Sequence, residues 1–159
     1  MKRIAVYAAL LASTLLFPMR GMDIGKLRPV GLIQLYKEEG TVCIVTDTGD
    51  SGRGKTVDEA IRNLEDTTAG VIFLDTADYL LVSETAKDVA AELARYVKPA
   101  IDLCIAEKDI DPVLAAEYLA VHHPKVKMRD EKAFETAQKL VKENGRIHLK
   151  NMEEKDENN

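Results

Sequence analysis

Two apolar runs, residues 30–36 and 41–46, stand on either side of Lys37-Glu38-Glu39-Gly40. No other feature constrains the fold as much. A polar turn of that length, with Gly40 free to take positive φ, folds the two runs back on each other as an antiparallel hairpin. Whatever follows Thr46 therefore leaves an antiparallel strand, not a central parallel one.

The stretch 47–55 holds Gly49, Gly52 and Gly54 and reads as a loop. Thr56-Val57-Asp58-Glu59 then has the form of a capping box, in which the Thr hydroxyl and the Glu carboxylate close free amides at a helix start. Val57, Ala60, Ile61 and Leu64 follow at helical spacing. Gly70 stops that helix, and 71–82 returns as one long strand or two broken ones. A second helix is expected over 84–96 and a strand over 101–106. Asp111-Pro112, an N-cap followed by proline in the first turn, opens a third helix through Ala120. A short strand is expected over 125–128. Ala133, Phe134, Ala137, Leu140 and Val141 predict a final helix over 131–143. The order ββαβαβα(β)α gives an α/β fold, α+β-like, with a mixed and mostly antiparallel sheet packed by helices.

The N-terminus reads as an export signal. Met1-Lys2-Arg3 is basic, and the 14 residues from Ile4 to Phe17 carry no charge. A bilayer-spanning helix takes about 20 residues, so this run has the length of a signal-peptide core. Pro18-Met19-Arg20-Gly21 has no Ala-x-Ala pattern, which leaves open an uncleaved anchor. The expected organisation is a signal or anchor over 1–21, a linker over 22–30, a core over 31–107, a helical extension of the same domain over 108–150 and a charged tail over 151–159. The protein is expected outside the cytoplasm, secreted or held at the membrane only by its N-terminal segment.

Charge narrows the partners. The chain has 27 acidic against 22 basic residues, a net charge of −5, and loss of residues 1–21 with Lys2, Arg3 and Arg20 would take it to −8. Nucleic-acid surfaces need clustered Lys and Arg, and single-strand platforms need aromatics. Here aromatics make up 5% of residues and Trp is absent. No nucleic-acid partner is expected.

Several constellations resemble chemistry. Gly49-Asp50-Ser51-Gly52-Arg53-Gly54-Lys55-Thr56 fits the phosphate-loop pattern G-x-x-x-x-G-K-[ST] between a strand and a helix. In that alternative reading Gly49, Gly54, Lys55 and Thr56 hold a nucleotide or phosphate, and Asp75 at the end of 71–75 serves a magnesium ion. The hairpin opposes it, because a phosphate-loop strand has parallel neighbours. The preferred reading is a glycine-rich loop feeding a capped helix. Asp47-Thr48-Gly49 matches the aspartic-protease triplet, but a second copy and a mostly β scaffold are needed. Asp75 and Asp78 form a second alternative, the acid and base of an exported hydrolase. Strand alternation sends them to opposite faces unless a turn intervenes. His122 and His123 suit a helix end, and His148 stands apart without metal-ligand spacing. Cys43 and Cys104 sit in apolar strands and are expected to stay reduced, packed as small hydrophobes.

Three segments together resemble a known family: Gly52-Arg53-Gly54-Lys55-Thr56-Val57-Asp58-Glu59-Ala60-Ile61-Arg62-Asn63-Leu64, Gly70-Val71-Ile72-Phe73-Leu74, and Tyr79-Leu80-Leu81-Val82-Ser83-Glu84. They resemble the N-terminal domain of Ger(x)C proteins, the lipoprotein subunits of spore germinant receptors in spore-forming Firmicutes. They also resemble small exported clostridial proteins of unknown function that carry Asp23-Ile24-Gly25-Lys26-Leu27-Arg28-Pro29. The resemblance covers about residues 31–107. It implies a non-catalytic α/β domain, similar to ring-building modules of envelope assemblies. In the turn where the family often has His, this chain has Asp75-Thr76-Ala77-Asp78. The expected function is a non-enzymatic protein–protein interaction domain of the cell or spore envelope, related to sporulation or germination. Its partner would be an envelope protein or a second copy, with no cofactor, no metal and no catalytic residue.

Overall fold

The computed structural model describes residues 26–151; the expected export segment and most of the expected charged tail lie outside them. The hairpin forms as the sequence requires. β2 (Leu32–Glu38) and β3 (Thr41–Thr46) pair antiparallel through Glu39-Gly40, both with positive φ. Backbone of that kind twists with the strands it joins.

The expected mixed α+β fold is present. One sheet has seven strands in the order β4-β3-β2-β6-β7-β8-β9. Its centre is parallel: β6 (Tyr79–Val82) lies between β2 and β7 (Asp102–Ala106), and β8 (Gln138–Glu143) follows β7. Antiparallel ladders flank it, with β4 (Ser51–Gly54) on β3 and β9 (Arg146–Lys150) on β8. A separate parallel pair joins β1 (Leu27–Pro29), at the end of the expected linker, to β5 (Val71–Phe73).

Helices cover both faces. On one side α1 (Val57–Thr67) and α2 (Lys87–Leu93) bury Val57, Ile61, Leu64, Ala90 and Leu93 against Ile33, Leu35, Ile44 and Leu80. On the other, α3 (Pro112–Val121) lays Ala115 and Leu119 on Leu32, Leu81, Cys104 and Leu140. Period-two alternation along β2, β6 and β7 feeds both cores, which is why apolar residues fall on both faces of these strands.

One open expectation is resolved and three are corrected. Residues 71–82 are two strands in different sheets, separated by a 3-10 turn at Leu74–Thr76. Residues 125–128 make only a single bridge, Lys127 to Asp102. The stretch 47–55 is not all loop, because Ser51–Gly54 is β4. Here glycine serves close approach: a Cβ on Gly52 would lie 2.1 Å from the Ala60 carbonyl oxygen, and one on Gly54 2.5 Å from the Ala60 nitrogen. Two bare strand positions let α1 rest directly on the ladder.

The largest correction concerns 131–143, and with it the helical extension over 108–150. Helix survives only as one turn, α4 (Ala133–Thr136). The chain then enters β8, reverses at Asn144-Gly145 with φ of 50° and 77°, and returns as β9. That pair of residues is the strongest short hairpin signal, because both accept the left-handed backbone of a type I′ turn. Residues 108–150 complete the sheet begun by the hairpin.

Candidate functional site

The phosphate-loop pattern is stretched along a strand. Gly49 lies in the turn before β4 and Lys55 beyond its far end, with four residues of ladder between them. The amides that would cradle an anion are committed elsewhere. Arg53 donates to Asn63 Oδ1 at 2.9 Å, and Lys55 to Glu59 Oε2 at 2.8 Å. The Glu59 amide in turn donates to Thr56 Oγ1 at 3.2 Å. Thr56 caps the helix as the sequence implies, while the Glu59 carboxylate closes the Lys55 amide, one residue before the N-cap. β3, which precedes the pattern, has antiparallel neighbours on both sides.

Asp75 is not near the Lys55 end of this loop. Gly54 pairs with Val42, opposite Lys37 at the carboxyl end of β2. Asp75 sits in the turn before β6, whose Tyr79 pairs with Leu32 at the amino end of β2. Five residues of strand, about 17 Å, separate the two levels. Asp75 is exposed beside Glu65 and Tyr96, over a depression of 180 Å³. Asp78 is exposed too and pairs with Lys98. Lys55, Asp75 and Asp78 converge in no common cleft.

The Asp47-Thr48-Gly49 triplet holds the fold. Both Asp47 carboxylate oxygens accept from the Gly31 amide, at 3.1 and 3.2 Å. Thr48 Oγ1 donates to Asp50 Oδ2 at 2.7 Å, and Asp50 pairs with Arg28 at 3.0 Å. His123 Nδ1 lies 3.2 Å from the Tyr79 hydroxyl, and the His122 ring rests 4.4 Å from that of Tyr118. Cys43 and Cys104 are buried and free. Three strand spacings, about 14 Å, keep them apart, twice the reach of a disulfide. Burial, with Asp102 adding to it, pushes the Cys104 thiol up to about 12. No group of His, Cys, Asp or Glu among the described residues is placed to hold a metal ion.

An open depression of 370 Å³ runs along Gly49, Asp50, Ser51 and Arg53, and two larger concavities lie elsewhere. One, of 710 Å³, opens at the carboxyl ends of β2, β6 and β7, the place where parallel sheets take ligands. Its three lysines are already paired: Lys37 with Asp88 at 2.5 Å, Lys108 with Glu38 at 2.6 Å and Lys139 with Glu107 at 3.7 Å. The Lys108 ammonium holds Glu38 below the usual carboxylate range, and Lys37 does the same to Asp88. With every lysine of its lining engaged and Glu39 and Asp109 also on its wall, the crevice offers an anionic ligand no unengaged cation.

The other, of 660 Å³, runs between α3 and β9. α3 is apolar nearly all round. Ala115 and Leu119 face the core, yet Val113 and Leu114 are 47% and 50% exposed and Val121 is 73% exposed. A surface helix is expected to be polar outward. The two sheet edges also differ. At β4, α1 lies over the edge: Asn63 accepts from Arg53, and the Thr67 hydroxyl, 2.8 Å from the Asn63 carbonyl, also lies 3.3 Å from the Ser51 carbonyl. β9 is the outermost strand at the other end among the described residues, and the Tyr118 hydroxyl accepts from its Leu149 amide at 3.3 Å. Sequence reasoning placed α3 but missed this surface; the signal was Val113, Leu114 and Val121 around a helix that already had core residues on its other side.

Compared with known proteins, the chain matches no family model, no curated protein and no solved structure.

Proposed function

We propose that this chain is a non-enzymatic contact domain of the cell or spore envelope, exported or tethered by its N-terminal segment, with a role in sporulation or germination. The observation that carries the reading is the outward face of α3. Val113, Leu114 and Val121 present apolar surface beside a groove and the strand that ends the sheet among the described residues. Apolar patches bounded by polar residues mark interaction sites. The basic start and uncharged run of residues 1–17 support export, and the Ger(x)C resemblance supports an envelope setting.

The test is a photo-crosslinking residue introduced at Val121 of the full chain, with a second at Glu65, exposed on α1, as the control. After irradiation of sporulating cells, a discrete adduct in the envelope fraction is expected from position 121 and not from 65. Recovery of the chain in the cytoplasm with no adduct from either position would refute the proposal.

A further inference from the structure

We infer that β9 accepts an added strand from an acidic partner, an extended segment that alternates carboxylate and apolar side chains. This rests on the contact reading above and names the partner's chemistry. The register of the β8–β9 hairpin fixes which groups face outward. Glu143 and Arg146 flank a two-residue turn and bond to each other, so His148 and Lys150 also turn their amides and carbonyls toward β8. Ile147 and Leu149 turn theirs away, which the Leu149 amide at the Tyr118 hydroxyl bears out. An incoming strand finds that outer row, and extended peptides bind sheet edges in this way.

Side chains then select the partner. Arg146, His148 and Lys150 share one face of β9, while Ile147 and Leu149 share the other with Tyr118 of α3. In an otherwise acidic chain, this edge of the seven-stranded sheet carries basic side chains, of which Lys150 is already joined to Glu143 at 2.5 Å. A second copy does not suit it. Every antiparallel register that joins the outer row of β9 to itself sets even-numbered residues opposite even-numbered ones. Arg146, His148 and Lys150 would then face one another, and like charges directly opposite destabilise a ladder. Carboxylates at alternate positions of a different chain remove that penalty. The residues between them would enter the groove beside Leu114 and Tyr118.

The experiment uses the full chain and two fluorescent synthetic peptides, one alternating Glu and Val, the other Lys and Val. Fluorescence anisotropy at low salt is expected to show the Glu peptide binding about tenfold tighter, the sum of a few cross-strand charge pairs. Arg146→Glu with His148→Glu should reverse the preference, and the milder Arg146→Gln with His148→Gln should abolish it. Amide exchange at Ile147 should slow on binding the Glu peptide. Equal binding of both peptides, no binding, or a preference unmoved by either double variant overturns strand addition. If that happens while position 121 still crosslinks, the contact reading survives and only the acidic strand is lost; if position 121 is silent as well, both fall.

Discussion

Replacing Gly52 by alanine tests whether the glycines before α1 serve packing or ligand binding. The added Cβ would lie 2.1 Å from the Ala60 carbonyl oxygen and 2.6 Å from both Leu64 N and Leu64 Cβ. Relief to about 3.4 Å requires α1 and β4 to part by more than 1 Å, and two of the three obstacles are backbone atoms. Ala60 and Leu64 are fully buried, so that movement opens the core under the helix. Overpacking of a tight core costs about 1–3 kcal/mol, and a clash with backbone belongs at the upper end. For a domain of this size, about 3 kcal/mol lowers Tm by about 10 °C. The control is Gly40→Ala, where φ is 79° but a Cβ meets nothing within 4 Å. There only the left-handed backbone is penalised, at about 1 kcal/mol. Urea melts of the three proteins give the comparison. If Gly52→Ala is no more costly than Gly40→Ala, the close approach of strand and helix is not what Gly52 provides.

Thr56→Ala should cost about 1 kcal/mol in the same assay, the usual loss when an N-cap hydroxyl no longer accepts from the first turn; a neutral result would deny the cap. A thiol reagent should find two reactive groups only after unfolding, because Cys43 and Cys104 are buried and the Cys104 thiolate is disfavoured; recovery of none would reveal a disulfide. Acid should destabilise the fold through Glu38, Asp88 and Glu143, which hydrogen bonds to Lys108, Lys37 and Lys150 hold below their ordinary values of 4.5, 3.8 and 4.5. A depressed carboxylate contributes stability above its unfolded value and loses it as pH falls. The melting temperature should therefore drop below about pH 4.5, and less steeply in about 1 M salt because these pairs are exposed. A rise in stability on acidification would contradict the assignment.

Elements with an end signal were legible. The polar turn at 37–40, the capping box at 56–59 and Asp111-Pro112 each fix a backbone conformation locally, and β2, β3, α1 and α3 stand close to where those residues put them. β4 was not legible, because Ser-Gly-Arg-Gly has no apolar side chain. It is a strand through its backbone ladder and through the bareness that admits α1. Residues 131–143 misled for a different reason. Ala133, Phe134, Ala137 and Leu140 satisfy helical spacing, yet Ala133 and Ala137 serve the core under α1 and α2 while Leu140 serves the core under α3. The spacing belongs to a chain passing from one face of the sheet to the other. Asn144-Gly145 followed by Arg-Ile-His-Leu-Lys carried the correct signal, since alternation after a type I′ pair marks a returning strand. The α3–β9 surface depends on that hairpin, so it could not be read before the hairpin was known.

The central claim is that contact runs through α3 and β9. Amide hydrogen exchange across the whole chain, compared between the purified protein and the protein mixed with a cell-envelope extract, tests it most directly. Protection gained at α3 and at Ile147 and Leu149 of β9, with residues 49–56 and 75–78 unchanged, is the predicted result. Protection gained instead around Lys55, or around Asp75 and Asp78, with α3 and β9 unmoved, would contradict it.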